Sequence, residues 1–150
     1  MTDVISRERR SELMSRIRGW DTEPEVAVRR GLHRAGFRFR LHHRKLPGRP
    51  DLVLARYRAV IFVHGCFWHR HRGCPLAYRP KSRTAFWNEK FRQNTARDRK
   101  QELQLLNSGW RVLLVWECGL RREPDRLKTI ERIKRWLRSG SSKGEIGGRG

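Results

Sequence analysis

The chain reads as an α/β protein, a central mixed β-sheet flanked by helices, and three observations predict it. Short apolar runs at 51–55, 59–63 and 110–116 have the length and the bounding turns of strands. Longer stretches at 22–36, 84–107 and 124–137 carry helix-start signals, helix length or a helical apolar stripe. With a charged helix before Gly19 and an alternating strand at 37–42, the order is helix, helix, three strands, helix, strand, helix, that of a sheet covered by helical layers. With 150 residues and a hydrophobic fraction of 37%, the chain can build one modest core and hence one domain.

Taken in order, Ser6 can cap a helix running to about Arg18, with Gly19 ending it. Its positions are nearly all charged, so residues 1–20 read as a DNA-contacting arm or as an ordinary solvated helix. Thr22-Glu-Pro-Glu25 then starts a helix that runs to Gly36, with Val26, Leu32 and Ala35 as its inward face. Phe37, Phe39 and Leu41 alternate with Arg38, Arg40 and His42, the period of a half-buried strand. A turn at Leu46-Pro-Gly-Arg-Pro50 leads into the strand 51–55, and 59–63 is its hairpin partner. Residues 64–83 are too rich in His, Cys, Arg and Pro for a regular element and read as a long loop. One or two helices fill Thr84 to Asn107, anchored by Phe86, Phe91, Leu103 and Leu106. A strand at 110–116 follows, and a last helix from Pro124 carries Leu127, Ile130, Ile133 and Leu137 on one stripe. Residues 21–138 thus form the folded domain, and 139–150, rich in Gly, Ser and charge, read as a disordered tail.

Thirty-six Lys and Arg against fifteen Asp and Glu leave a formal charge of +21, which makes a polyanion the default partner. Charge alone also fits a ribosomal-type RNA binder. The chain has no apolar run of membrane-spanning length and no apolar core of a signal peptide, so an intracellular, cytoplasmic protein is expected. Three cysteines in a reducing compartment favour a metal over a disulfide.

Cys66, His71 and Cys74 share one loop with the spacing C-x4-H-x2-C, and Cys118 follows the strand 110–116. Together they make a Cys3His set. Thiolates prefer Zn2+ to Mg2+, and four protein ligands close the coordination sphere, so this metal is expected to be structural. The alternative is three buried cysteines acting as small hydrophobes.

A second constellation carries chemistry. Phosphodiester hydrolysis needs a divalent cation, held by oxygen ligands when it is Mg2+, and a group that moves protons. Asp51 opens a strand directly after Pro50, ahead of an apolar hairpin, as in nucleases with a Pro-Asp then Asp/Glu-x-Lys motif. The partner strand breaks that motif, because Ile61-Phe-Val-His-Gly65 has neither carboxylate nor lysine. His64 and His69 are the available substitutes. With His64-Gly-Cys-Phe-Trp-His69, Leu46-Pro-Gly-Arg-Pro-Asp51, Thr22-x-x-Glu25, Arg83-Thr-x-Phe-Trp87, Asn94-x-x-Arg-Asp98 and Gly109-Trp-Arg-Val-Leu-x-Val-Trp-Glu-Cys118, the chain resembles the very short patch repair (Vsr) endonucleases over about residues 3–138.

The resemblance implies a restriction-endonuclease-like fold, a variant of the Pro-Asp nucleases, with a structural zinc. It implies a nick in double-stranded DNA beside a T:G mismatch left by deamination of 5-methylcytosine, at the phosphodiester 5′ of the mispaired T. Asp51 would hold the catalytic Mg2+ with the main-chain carbonyl of Val63, and His69 would transfer protons. Glu25, His64 and Asp98 would complete the polar shell, while Phe67, Trp68 and Trp87 would intercalate at the mispair. A monomer is expected, with mismatch-repair proteins as candidate partners. Two departures from the family pattern are Val63, where a hydroxyl residue is common, and one added residue between His71 and Cys74.

Each residue also has a local explanation. Glu25 fits a capping box with Thr22, Asp98 a solvated ion pair beside Arg97 or Arg99, and His64 a hydrogen-bonded strand end. Aromatics more often pack in cores than wedge into DNA, which is the reading for Trp110, Trp116 and Trp136. The competing function is a non-catalytic, zinc-containing binder of double-stranded nucleic acid.

Overall fold

A computed structural model describes residues 22–148; the expected arm at 1–20 lies outside these. Three helices and five strands are present among them: α1 (Glu23–Arg34), β1 (Arg40–Leu41), β2 (Leu52–Leu54), β3 (Ala59–His64), α2 (Thr84–Asn107), β4 (Arg111–Trp116), α3 (Glu123–Ser139) and β5 (Lys143–Ile146). The sheet order is β1-β2-β3-β4-β5. The β1/β2 and β2/β3 pairs are antiparallel, while β3/β4 and β4/β5 are parallel, so the sheet is mixed as expected.

Alternation along β3 explains the layers. Ala59 and Ile61 face one way, into a cluster with Val28 and Leu32 of α1 and Ile130, Ile133 and Leu137 of α3. Val60 and Phe62 face the other, toward Val53, Val112 and Leu105 of α2. The sheet is therefore sandwiched between α1 with α3 and α2.

Several elements differ from their sequence patterns for identifiable reasons. In α1 the Thr22 side chain accepts from the Glu25 backbone N–H, and the buried positions are Glu25, Val28 and Leu32. The inward stripe is thus set one residue pair away from Val26 and Ala35, with a carboxylate at its head. Phe37 does not begin a strand: its N–H donates to Leu32 O at 3.0 Å, finishing the helix, and its ring packs 5.5 Å from Tyr57. Only Arg40 and Leu41 pair with β2. On α2, Phe86 and Leu103 are exposed, and the inward positions are Phe91, Asn94 and Leu105. Leu127 of α3 is likewise exposed, while Thr129 turns in and donates to Gly119 O at 2.7 Å.

The expectation of a disordered tail at 139–150 is corrected. α3 runs to Ser139, and Lys143–Ile146 form β5 on the open edge of β4. Composition hides this strand because main-chain hydrogen bonds supply most of its attachment, with Ile146 as its one core residue. Arg111 ties the approach, donating to Ser141 O at 2.7 Å and to the Trp136 and Leu137 carbonyls at the end of α3.

No helix among the described residues is long and apolar enough to cross a membrane.

Candidate active site and metal centre

All the chemistry-bearing side chains converge on one edge of the sheet. Because β3 and β4 run parallel with His64 beside Trp116, the ends of both strands, the start of antiparallel β2 and the end of β5 lie together. Asp51 precedes β2, His64 closes β3, and Cys118 follows β4.

Asp51 is anchored to β3. Its Oδ2 accepts the Val63 N–H at 2.6 Å, and Glu25, His42 and Asp51 present ligand atoms within 4.8 Å of one another. Burial, then the nearby Glu25 charge, pushes the Asp51 carboxyl up to about 7, against the opposing pull of the Val63 N–H and Arg29. Arg29 pairs with Glu25 at 3.1 Å, yet the Asp51 carboxyl is still pushed up. A divalent cation is what such a site fits.

A second group assembles from His64, the residue after Val63 in β3, with His69 and Asp98. His69 Nδ1 lies 2.6 Å from Asp98 Oδ2, a short charge-assisted geometry that leaves Nε2 as the free ring nitrogen. Asp98 therefore serves His69 rather than Arg97 or Arg99. The His64 ring stacks on that of His69, with centroids 3.8 Å apart and planes 8° from parallel. Burial, then the proximity of His69, holds His64 well below its ordinary value, and its Nδ1 has no hydrogen-bond partner among the described residues. His64 is thus not the hydrogen-bonded strand end that local sequence suggests. A cavity of about 150 Å³ opens beside the three, lined also by Phe62, Leu114 and Trp116.

Cys66, His71, Cys74 and Cys118 converge within 4.8 Å. His71 Nδ1 is 3.6 Å from Cys66 Sγ and 3.5 Å from Cys118 Sγ, and its ring stacks on Trp116 at 4.2 Å. Burial pushes the Cys66 and Cys118 thiols up, the cost of crowding thiols in a dry pocket. Glu117 fixes the loop start by accepting the Cys66 N–H at 3.0 Å. The returning tail closes the cluster: Gly148 N–H donates to Cys118 Sγ at 3.2 Å, and a Cβ on Gly147 would sit 2.9 Å from the His71 ring.

Phe67, Trp68 and Trp87 also come together. Phe67 lies 5.2 Å from Trp68 and 5.5 Å from Trp87, edge-on to both, and all three remain partly exposed. Trp110 and Trp136 pack on the cores as expected, whereas Trp116, also buried, lies against the His64 and His71 rings instead of either cluster.

Comparison with known proteins decides the family. The model of the DNA mismatch endonuclease Vsr family matches residues 2–75. The chain is 52% identical over 120 residues to the type II nicking enzyme V.XorIIP of Xanthomonas oryzae pv. oryzae, covering 80% of this chain and 88% of that one. It is also 41% identical over 138 residues to the type II nicking enzyme V.NmeAIP of Neisseria meningitidis, covering 92% of this chain and 98% of that one. The DNA mismatch endonuclease Vsr of Escherichia coli is 46% identical over 140 residues, 91% of this chain and 88% of its own. This chain belongs to the Vsr family. The chain is accordingly an endonuclease, with DNA as its substrate, and the reading as a non-catalytic binder is set aside.

Three participants at this Vsr site are silent in the sequence. His42 looks like an outward strand residue, yet it lies between Glu25 and Asp51 because the chain turns there in the left-handed region (φ 47°). Arg29 joins it from α1. Arg70 donates to the Phe67, Ala77 and Tyr78 carbonyls and stacks 3.9 Å over Phe91, holding the aromatic loop against α2. A basic, aromatic-rich loop gives no hint which Arg turns inward. A left-handed His at a strand end is equally invisible before the backbone is known.

Proposed function

We propose that this endonuclease nicks double-stranded DNA beside a T:G mispair produced by deamination of 5-methylcytosine, hydrolysing the phosphodiester 5′ of the mispaired T in a Mg2+-dependent reaction. The observation that carries this reading is that β3 bears both groups, the Asp51 carboxylate on the Val63 N–H and the His69–Asp98 pair against the stacked ring of the next residue, His64.

Asp51 and the Val63 main-chain carbonyl would hold the ion, with Glu25 beside them. When bound, Mg2+ supplies electrostatic stabilisation of the charge that builds on the phosphate. Asp98 fixes the tautomer of His69 by taking its Nδ1–H, so Nε2 exchanges the proton with the attacking water or the leaving oxygen. His64, neutral and stacked, sets the plane of the His69 ring. Phe67, Trp68 and Trp87 form the wedge: unstacking costs a few kcal/mol per step and least at a mispair, so distortion is read as energy. The Cys3His cluster suits Zn2+ as a structural ion, because binding converts crowded thiols to thiolates and ties the wedge loop to β4 and the tail. The scaffold is restriction-endonuclease-like and monomeric in this reading, with mismatch-repair proteins as candidate partners.

The test is a duplex carrying one T:G pair, incubated with and without Mg2+ and resolved by strand. A single Mg2+-dependent nick 5′ of the mispaired T is expected, with no cut in the T:A control. Asp51→Asn and His69→Ala should each lower turnover about 10²-fold or more while leaving mismatch binding measurable. Unchanged turnover in either variant rejects the assignment.

A further inference from the structure

We propose that Arg29 and His42 form a positioning relay for Asp51, in which His42 presents an Nδ1–H to the carboxylate and is not itself a ligand of the metal. The inference rests on the reading above, that Asp51 anchors the ion, and concerns residues outside the motif blocks of the family.

Glu25, His42 and Asp51 lie within 4.8 Å, and that grouping invites a mixed oxygen–nitrogen ligand set. The hydrogen-bonding partners argue otherwise. Arg29 Nη2 is 2.9 Å from His42 Nε2 and 3.1 Å from Glu25 Oε2. A guanidinium nitrogen can only donate, so Nε2 accepts and the ring proton sits on Nδ1. Nδ1 is the nitrogen facing Asp51 Oδ1, at 3.8 Å. A ligand nitrogen must offer a lone pair, and moving the proton to Nε2 would set N–H against N–H at Arg29. The ring, polarised by the Arg29 cation, therefore turns its Nδ1–H toward Oδ1, at a separation beyond a hydrogen bond, while Oδ2 is fixed by Val63 N–H at 2.6 Å. One carboxylate oxygen is thus held by a hydrogen bond and the other faces a polarised N–H.

The backbone is built to place this ring. His42 adopts φ 47°, a left-handed conformation that non-glycine residues hold in only a few per cent of cases and that His tolerates better than most, and its N–H donates to Asp51 O at 3.3 Å. The side chains of His42 and Asp51 are 12% and 16% exposed, dry enough for orientation to count.

The test is Mn2+ binding, followed by electron paramagnetic resonance, on protein with its Cys66 cluster loaded with Zn2+. His42→Ala should weaken Mn2+ binding about tenfold, the size of effect seen when the partner orienting a metal-holding group is lost. The unfolding midpoint and mismatch-duplex affinity without Mg2+ should not change. His42→Gln should restore most of the affinity, because its carboxamide oxygen can accept from Arg29 while its NH2 donates to Asp51. Spin-echo spectra of wild type and His42→Gln should show the same nitrogen couplings. A directly bound nitrogen that disappears in His42→Gln overturns the relay, as does wild-type Mn2+ affinity in His42→Ala. Asp51→Asn serves as the reference. If it abolishes binding while His42→Ala does not weaken it, the relay alone fails; if Asp51→Asn binds normally, the anchor fails and the relay with it.

Discussion

Asp51 and His64, both shifted chiefly by burial, pull on the protein's acid–base behaviour in opposite directions. Asp51 has a folded-state value near 7 against 3.8 for the ordinary group, so the fold favours its neutral form. That contribution is complete below about pH 4 and is lost as pH rises through about 7. His64 has the reverse sense. Its folded value is depressed below 6.5, so its contribution is complete above that pH and is lost on acidification. The two overlap, and only a variant-minus-wild-type difference separates them. In buffer without Mg2+, Asp51→Asn should gain unfolding temperature relative to wild type as pH rises from about 4 to about 7, and added Mg2+ should shrink the gain. A gap constant across that range would mean that Asp51 ionises in the fold as it does in the unfolded chain. For Asp98, the lost quantity is charge rather than contact. Asp98→Asn keeps an acceptor 2.6 Å from His69 but makes the bond a neutral one, so single-turnover nicking should drop about tenfold or more at unchanged thermal stability.

At the scale of elements, close approach decides what the helices and the tail strand tolerate. α1 crosses α3 where Gly31 meets Ile130, and a Cβ at Gly31 would stand 2.6 Å from Ile130 Cδ1. Gly31→Ala should therefore cost about 1–3 kcal/mol by overpacking, although alanine is the better helix former; thermal or urea denaturation checks the sign. β5 covers the edge of β4, contributes Ile146 to the core and brings Gly148 N–H to Cys118 Sγ. Removing residues 141–150 should lower the unfolding temperature and speed release of the cluster metal to a colorimetric chelator. Release at the full-length rate would show that the tail does not guard the cluster. Such a strand is not legible in Gly, Ser and charge, because its stability comes from a neighbour's unpaired main chain and from Arg111 holding the Trp136, Leu137 and Ser141 carbonyls.

Across the whole molecule, a formal charge of +21 governs how the site meets its substrate. Neutralising phosphates releases counterions, so DNA affinity should fall steeply with salt, on the order of 10³-fold between 50 and 200 mM if six or more phosphates are contacted. Asp51→Asn and His69→Ala should share the wild-type salt slope, since neither contributes to the phosphate-tracking surface. A filter-binding series in increasing salt reads this directly. Loss of slope in either variant would place these residues in the binding surface instead of at the scissile bond.

The sequence by itself determined the mixed α/β class, the central strands, the family and the candidate residues Glu25, Asp51, His64, His69 and Asp98. It also nominated the Cys66, His71, Cys74 and Cys118 set. Apolar period, turn residues and ligand types are local properties, readable before any fold is known. Which way each group faces, and what stands behind it, was decided only in three dimensions. Asp98 comes from the middle of a polar helix to meet His69, Glu25 turns its carboxylate inward although its N–H is capped by Thr22, and Arg29 with His42 stands beside the Asp51 carboxylate. Phe86, Leu103 and Leu127 remain outside despite their helical spacing. The physical reason is common to all of these. A side chain's partner is set by the register of distant strands and the azimuth of helices, and neither is encoded within a few residues of the side chain itself.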